Sequence, residues 1–425
     1  MTADPTGPDR DEYAIPDAAY AARLIRETTF RPVPPSTFRI GVEAELIPID
    51  RETRRVPAID SGLLPALERY GERDGWSAVP TSKGAPVFEL PGGGRLTFEP
   101  GGQIEYAAPP FDSPSAALAH LRDTLLPLTE ALGRAGIDLY GLGVDPFNGP
   151  DRAELQIEAE RYRCMDAYYA RYGPAGARMM RQTASIQLNI DSPCDQLRIW
   201  QVLNALAPVL VATFANSRRY AGRDTGLASF RSWTWQILDR TRTGLPWSDA
   251  DPVSNYAEFA LDAPAMFHPD QTGDYQPFRS LIRSGRMTER QLANHLSTLF
   301  PEVRPRRYFE VRSVDALPLS MYAAPLMLLA GLTLEESALE SAAAILGPPD
   351  TVWLARASRM GLRDQTLARR AAAVSRLAID VCRSRPDLCE AADTSAAADF
   401  YARFTEHGRS PADAADALKA AATAA

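Results

Sequence analysis

Apolar residues recur at every second position in four stretches of the chain, and the positions between them are polar or acidic. In RIGVEAELIPI (39–49), Ile40, Val42, Ala44 and Leu46 form one row, and Gly41, Glu43 and Glu45 the other. Successive strand side chains leave opposite faces, so this spacing predicts a strand with its apolar row in the core and both carboxylates on the far side. RLTFEPGGQIEY (95–106) pairs Thr97 with Glu99 and, after the turn Pro100-Gly101-Gly102, Gln103 with Glu105, opposite Ile104 and Tyr106. TASIQLNID (183–191) sets Ala184, Ile186, Leu188 and Ile190 against Ser185, Gln187, Asn189 and Asp191. RYFEVRSVD (307–315) sets Phe309 and Val311 against Tyr308, Glu310 and Arg312.

Between these strands the period changes to that of helices, as in 114–135 and 195–216, without the regular strand–helix rhythm of a parallel sheet. The fold class expected is α+β, an antiparallel sheet with flanking helices. DAAYAARLIRETTF (17–30) reads as a helix stopped by Pro32, Pro34 and Pro35. Past 335 the chain turns to alanine, leucine and arginine at helical spacing, broken at Gly347-Pro348-Pro349 and near Pro386 and Pro411. The terminal ADALKAAATAA is expected to fray. Three parts follow: a tail and helix over 1–35, a main domain over 36–335, and a helical region over 336–425 packed on it. Ala316–Leu334 carries no charge, but Pro318, Ser320, Pro325 and Gly331 interrupt it, which favours a buried helix over a membrane span.

Charge changes this picture. The net charge is -8 and no run of five basic residues occurs, so nucleic acid is not an expected partner. The start, MTADPTGPDRDEY, has neither the basic nor the apolar region of a secretory signal, and the four cysteines form no CxxC pair. A soluble protein of the reducing cytoplasm is expected, with no membrane partner. The four alternating segments contain no lysine, so their acids are not the mixed charges of a solvated face. Glutamates two apart on a strand lie roughly 7 Å from each other and repel by about 2 kcal/mol at an effective dielectric near 20. A cation is the natural counterweight, and Mg²⁺ takes carboxylates together with substrate phosphates, so the leading inference is an ATP site. No GxxxxGK[ST] loop is present, which leaves metal and arginine to hold the phosphates. The four histidines are scattered outside the acidic segments and no GxSxG elbow occurs, which disfavours zinc or acyl-enzyme chemistry.

TFEPGGQIE, QTASIQLNID, ATFANSRRYAG, DRTRTGLP and NHLSTLFPEVRPRRYFEVRSVDA occur in this order between about 40 and 335. Together they resemble the plant-type and actinobacterial glutamate–cysteine ligase family. The resemblance implies a glutamine synthetase-like sheet cradling ATP and two or three Mg²⁺, with 36–335 as the catalytic domain. It implies phosphoryl transfer from ATP to the side-chain carboxylate of L-glutamate, then attack by the amine of L-cysteine to give γ-glutamylcysteine. Carried onto this chain, it makes Glu43, Glu45, Glu99, Glu105 and Glu310 the metal ligands, with Gln187 and Asn189 near the nucleotide. Glu310 and Arg312 become the catalytic pair, Arg312 stabilising the transferred phosphoryl group. Arg231, Trp233 and Arg242 become substrate residues, with Trp235 a further aromatic beside them. Plant enzymes carry Arg-Thr at Gln182-Thr183 and Gly-Ala-Asp-Gly-Gly-Pro at 313–318, so another amine stands as an alternative; a non-catalytic nucleotide- or amino-acid-binding homologue is the other, and retention of all the key acids speaks against it. TASIQ is similar to the branch that serves ergothioneine, with glutathione the other pathway. A monomer or homodimer is expected.

Overall fold

The computed structural model describes residues 13–30, 33–81, 85–247, 250–269, 273–285 and 287–414. The segment ADALKAAATAA and all but the last residue of MTADPTGPDRDEY lie outside them. The four alternating segments form the middle of one nine-stranded sheet. Its strands are β1 (Arg39–Asp50), β2 (Ser77–Val79), β3 (Val87–Glu89), β4 (Arg95–Phe98), β5 (Ile104–Ala107), β6 (Ile137–Tyr140), β7 (Ser185–Asp191), β8 (Val303–Pro305) and β9 (Phe309–Asp315). Their order is β8-β9-β7-β1-β5-β4-β3-β2, with β6 paired to the end of β1. Every pairing is antiparallel.

Register decides which side chains share a face. Glu43 lies opposite Gln187 and Gly41 opposite Asn189. Glu45 lies opposite Glu105, and Glu310 opposite Asn189. The polar rows of four strands are therefore one continuous surface. Their apolar partners, among them Ile40, Val42, Ile186, Leu188, Phe309 and Val311, are buried on the other face. There the helix Gln196–Thr213, capped by Asp195, packs on β9, with Trp200 and Phe309 rings 5.5 Å apart.

The helices begin where capping residues permit. Asp17 caps Ala18–Thr29 and Ser113 caps Pro114–Arg134, each accepting a hydrogen bond from a first-turn amide. Within the uncharged stretch, Ala323–Thr333 is a helix with every residue buried. Among the described residues no helix is long and apolar enough to cross a membrane. The helices Gln365–Ser384 and Ala391–Arg403 cover Ala323–Thr333, while Glu336–Leu346 and Val352–Met360 pack on Gln196–Thr213. One apolar cluster runs from Ile15 to Phe404, so the region beyond 335 shares its core with the sheet. A smaller cluster joins Met165, Met179, Met180 and Met266 to Tyr168 and Tyr169.

The turn between β4 and β5 is fixed by close approach. Gly102 has φ +90°, and a Cβ on Gly101 would sit 2.0 Å from the Arg181 carbonyl oxygen. The turn that carries Glu99 is thus seated on the end of the helix Pro174–Gln182.

Candidate active site

A cavity of about 210 Å³ opens over the polar face of the sheet, and Glu43, Glu45, Glu99 and Glu105 all line it. Strand alternation brings Glu43 and Glu45 there from β1 and Glu105 from β5, while Glu99 comes from the seated turn. Glu45 accepts hydrogen bonds from the Ser185 amide at 2.7 Å and from Gln187 Nε2 at 2.8 Å. Glu43 accepts from Asn189 Nδ2 at 3.1 Å, and Glu105 from Thr97 Oγ1 at 3.1 Å. Among the described residues no donor serves the Glu99 carboxylate.

Five guanidinium groups, those of Arg161, Arg231, Arg304, Arg306 and Arg312, line the same cavity. Glu310 is fully buried beneath them rather than facing the opening. Its carboxylate accepts from Arg304 at 2.6 and 3.2 Å, from Arg306 at 3.3 Å and from Arg312 at 2.6 Å. Arg304 reaches it because β8 pairs with β9 so that Arg304 stands opposite Glu310. Arg312 also donates to Gln187 Oε1, and Arg161 holds Ser297 through its hydroxyl at 2.5 Å and its carbonyl at 2.9 Å. Arg231 donates to the Arg312 carbonyl at 2.9 Å and lies 3.8 Å from Asp315. Asp315 in turn accepts from Ser217, Ser229 and the Asn216 amide.

Across the strand order β5, β1, β7, β9, β8 the side chains pass from carboxylate to carboxamide to guanidinium. Gln187 joins the two halves, giving its amide hydrogen to Glu45 and its oxygen to Arg312. The acids feel the crowding. Burial, then Glu45 and Glu43, pushes Glu99 up to about 7 against the pull of Arg161 and Arg312. Burial and then the other three acids raise Glu105 well above the carboxylate range, and burial with Glu310 raises Glu43. Glu310 goes the other way: burial opposes its ionisation, yet Arg304, Arg312 and Arg306 outweigh it and bring it down to about 2.

Among the described residues no three carboxylate, thiol or imidazole side chains are gathered into a ready metal-ligating group. The donor set nonetheless fits a hard divalent cation, because it offers carboxylate oxygens and, among the described residues, Glu43, Glu45, Glu99 and Glu105 form no ion pair. Mg²⁺ characteristically takes few protein carboxylates and completes its shell with water and phosphate oxygens. A groove of about 430 Å³ lined by Leu24, Tyr256, Leu292, Ala293, Leu296 and Pro305 adjoins the cavity and shares Ser297, Arg304 and Arg306 with it.

Of the residues singled out from sequence, Glu43, Glu45, Glu99, Glu105, Gln187, Arg231 and Arg312 line the cavity together. Asn189 sits one pair further along and orients Glu43. Trp233 does not reach the cavity; its ring stacks on Phe230 at 5.4 Å. On the helix Phe230–Gln236 residues two apart point roughly 200° apart, so Arg231 and Trp235, four apart, share the face that does. Arg242 also lies elsewhere: fully buried, it donates to Thr298 at 2.8 and 3.1 Å and packs over Tyr168. Sequence reading missed Arg304, Arg306, Arg161 and the methionines Met165, Met179 and Met180. The Arg304–Glu310 pairing was open to reading as a hairpin in VRPRRYFEV; the helical residues leave no period-two trace.

The sequence model of Glutamate-cysteine ligase family 2 (GCS2) matches residues 39–423. The glutamate–cysteine ligase EgtA of Mycolicibacterium smegmatis is 37% identical over 348 residues, covering 77% of this chain and 79% of that protein. EgtA of Mycobacterium tuberculosis H37Rv is 33% identical over 379 residues, covering 84% and 82%. The chloroplastic glutamate–cysteine ligase of Brassica juncea is 31% identical over 324 residues, covering 72% and 62%. A solved structure of the Francisella tularensis glutamate–cysteine ligase in complex with AMP aligns over 92% of each chain, with 13% identity and a TM-score of 0.46. Because the family model spans residues 39–423, the acid-bearing strands and the arginine hairpin included, the protein belongs to glutamate–cysteine ligase family 2.

Proposed function

We propose that the protein is an ATP-dependent glutamate–cysteine ligase that supplies γ-glutamylcysteine for ergothioneine synthesis. The observation that carries this reading is the lateral division of one cavity into an acidic half and a guanidinium half joined by Gln187. Such a division suits a metal–triphosphate: cations go to the carboxylates and phosphate oxygens to the arginines. Glu43, Glu45, Glu99 and Glu105 would hold two Mg²⁺, and a third would draw on Glu310, whose oxygens now hold guanidiniums. When bound, Mg²⁺ neutralises charge on the phosphate oxygens.

The chain's own residues position and orient. Arg312, held by Glu310 and Gln187, faces the transferred phosphoryl group, whose charge is spread over three oxygens. Arg231, set by the Arg312 carbonyl and Asp315, binds a substrate carboxylate. The apolar groove takes the nucleotide base, leaving the triphosphate to pass Arg304 and Arg306. An oxygen of the glutamate side chain bonds to the γ-phosphorus as ADP leaves. The amine nitrogen of cysteine then bonds to the acyl carbon, phosphate leaves, and the nitrogen loses its proton.

Purified protein given Mg²⁺, ATP, glutamate and cysteine should release ADP and a product with the mass of γ-glutamylcysteine. ADP release no greater than in an amino-acid-free control rejects the reading.

A further inference from the structure

Behind the turn that carries Glu99 lies a second cavity, of about 500 Å³. Glu99 and Pro100 line the catalytic cavity, whereas the next residue, Gly101, lines this one. It is apolar at Val56, Ile59 and Leu64, and charged elsewhere. Two of its charges are already engaged. Asp145 accepts from the Phe147 and Asn148 amides and the Asn148 side chain, and Arg181 holds Asp166 and the Ala153 carbonyl. Arg55, Asp60, Arg152, Glu154 and Glu158 differ, because among the described residues their side chains have no hydrogen-bond or ion-pair partner. Two guanidiniums and three carboxylates thus ring one concavity without neutralising each other. A small ligand that carries both signs of charge would satisfy them together.

The rim is built on fixed backbone at the end of β1, the strand of Glu43 and Glu45. The Asp50 amide donates to the Arg55 carbonyl at 2.9 Å, and Arg54, at φ +58°, is held by Asn148 Nδ2 at 3.0 Å from its carbonyl. Gln156 joins this cavity to the catalytic one. Its Nε2 donates to the Gly101 and Pro57 carbonyls at 3.1 and 3.2 Å, and its Oε1 accepts from the Ile59 amide at 2.7 Å. Its own amide donates to the Pro100 carbonyl at 2.8 Å. A ligand carboxylate in the cavity competes with the Gly101 carbonyl for Gln156 Nε2, and the charged acceptor makes the stronger bond. The turn that holds Glu99 would then lose one of its clamps.

We propose that this cavity is a regulatory site for a small dicarboxylic zwitterion. Arg55 and Arg152 take its carboxylates, Asp60, Glu154 and Glu158 surround its ammonium, and its occupancy draws Gln156 off the turn and lowers turnover. On the ligase reading above, on which the choice of ligand rests, L-glutamate and γ-glutamylcysteine both carry two carboxylates and one ammonium.

The test measures binding of L-glutamate and of γ-glutamylcysteine to the full-length protein by calorimetry without ATP. At least one of them should occupy a site that Arg55→Gln and Arg152→Gln each weaken by about tenfold or more, and that Arg231→Gln, in the catalytic cavity, leaves intact. Both rim positions are exposed, so these variants should fold as the wild type does. In ADP release, wild-type turnover should fall as that ligand is raised, and saturating glutamate should not relieve inhibition by the dipeptide. Arg55→Gln and Arg152→Gln should keep wild-type turnover at low ligand and lose the fall. Whichever probe behaves so is the occupant. No binding, binding that neither rim variant weakens, or a filled site that leaves turnover unchanged overturns the proposal, while ADP release still upholds the ligase reading. An Arg55- and Arg152-dependent site without any ADP release supports the site and sinks the ligase reading instead.

Discussion

Glu99→Gln is expected to stabilise the protein in the absence of metal while disabling it as an enzyme. Glu99 is raised from 4.5 to about 7, so the fold resists its ionisation. A carboxylate raised in the folded state costs stability as pH climbs from its unfolded value, and the full cost is present above its folded value. At 1.36 kcal/mol per pKa unit the shift corresponds to roughly 3 kcal/mol. Glu99 is partly open to the water of the cavity, which reduces this to about 2 kcal/mol at pH 8. At pH 5 about a quarter of that remains. Glutamine mimics the protonated acid and removes the penalty. In chelator at pH 8 the variant should melt a few degrees above wild type, about 3 °C for a chain of this size, and nearly with it at pH 5. Adding Mg²⁺ and ATP should raise the wild-type melting temperature and leave the variant behind, with activity down at least about 100-fold. Protons and Mg²⁺ compete for the same oxygen, so wild-type affinity for Mg²⁺ should rise with pH and level off above 7. A variant that melts below wild type at pH 8, or gains equally at both pH values, refutes the electrostatic argument.

Three further outcomes follow from the same geometry. Glu310→Gln leaves Arg304, Arg306 and Arg312 without their common carboxylate and should cost about 3 kcal/mol in urea unfolding at neutral pH. Glu310 is lowered to about 2, so its contribution is complete above 4.5 and disappears as pH falls through 2; the gap between variant and wild type should close over that window. Gly101→Ala drives a methyl group into the Arg181 carbonyl and should cost at least about 2 kcal/mol, with a parallel loss of activity; a normal melting temperature contradicts the close approach. Leu292→Glu places an acid in the apolar groove and should raise the KM for ATP more than about tenfold while that for glutamate holds; equal rises would remove the base from the groove.

The strand half of the site was legible because strand geometry maps directly onto spacing: residues two apart share a face. Glu43, Glu45, Glu105 and Gln187 needed only that rule, and the Gly-Gly turn added Glu99. Glu310 obeyed the rule too, but its environment comes from the neighbouring strand, where Arg304 stands opposite, and cross-strand partners are invisible until the hairpin register is known. Trp233 and Arg242 were drawn in by motif strings, which record proximity in sequence rather than direction. Trp233 leaves its helix on the wrong side, and Arg242 is spent on Thr298 and Asp239. The methionines and Arg161 reach the cavity from helices whose residues face it only after tertiary packing.

The helix Ala323–Thr333 lies among other helices with no exposed residue, and Gly331 is so tight on Gln365–Ser384 that a methyl group would meet the Ala378 carbonyl at 2.4 Å. A chain cut after 335 would strip that cover and leave a greasy rod bare to water. The 90 residues beyond 335 are therefore no accessory that engineering is free to discard: trimming them would turn a well-behaved enzyme into an aggregate long before it touched a single reacting atom.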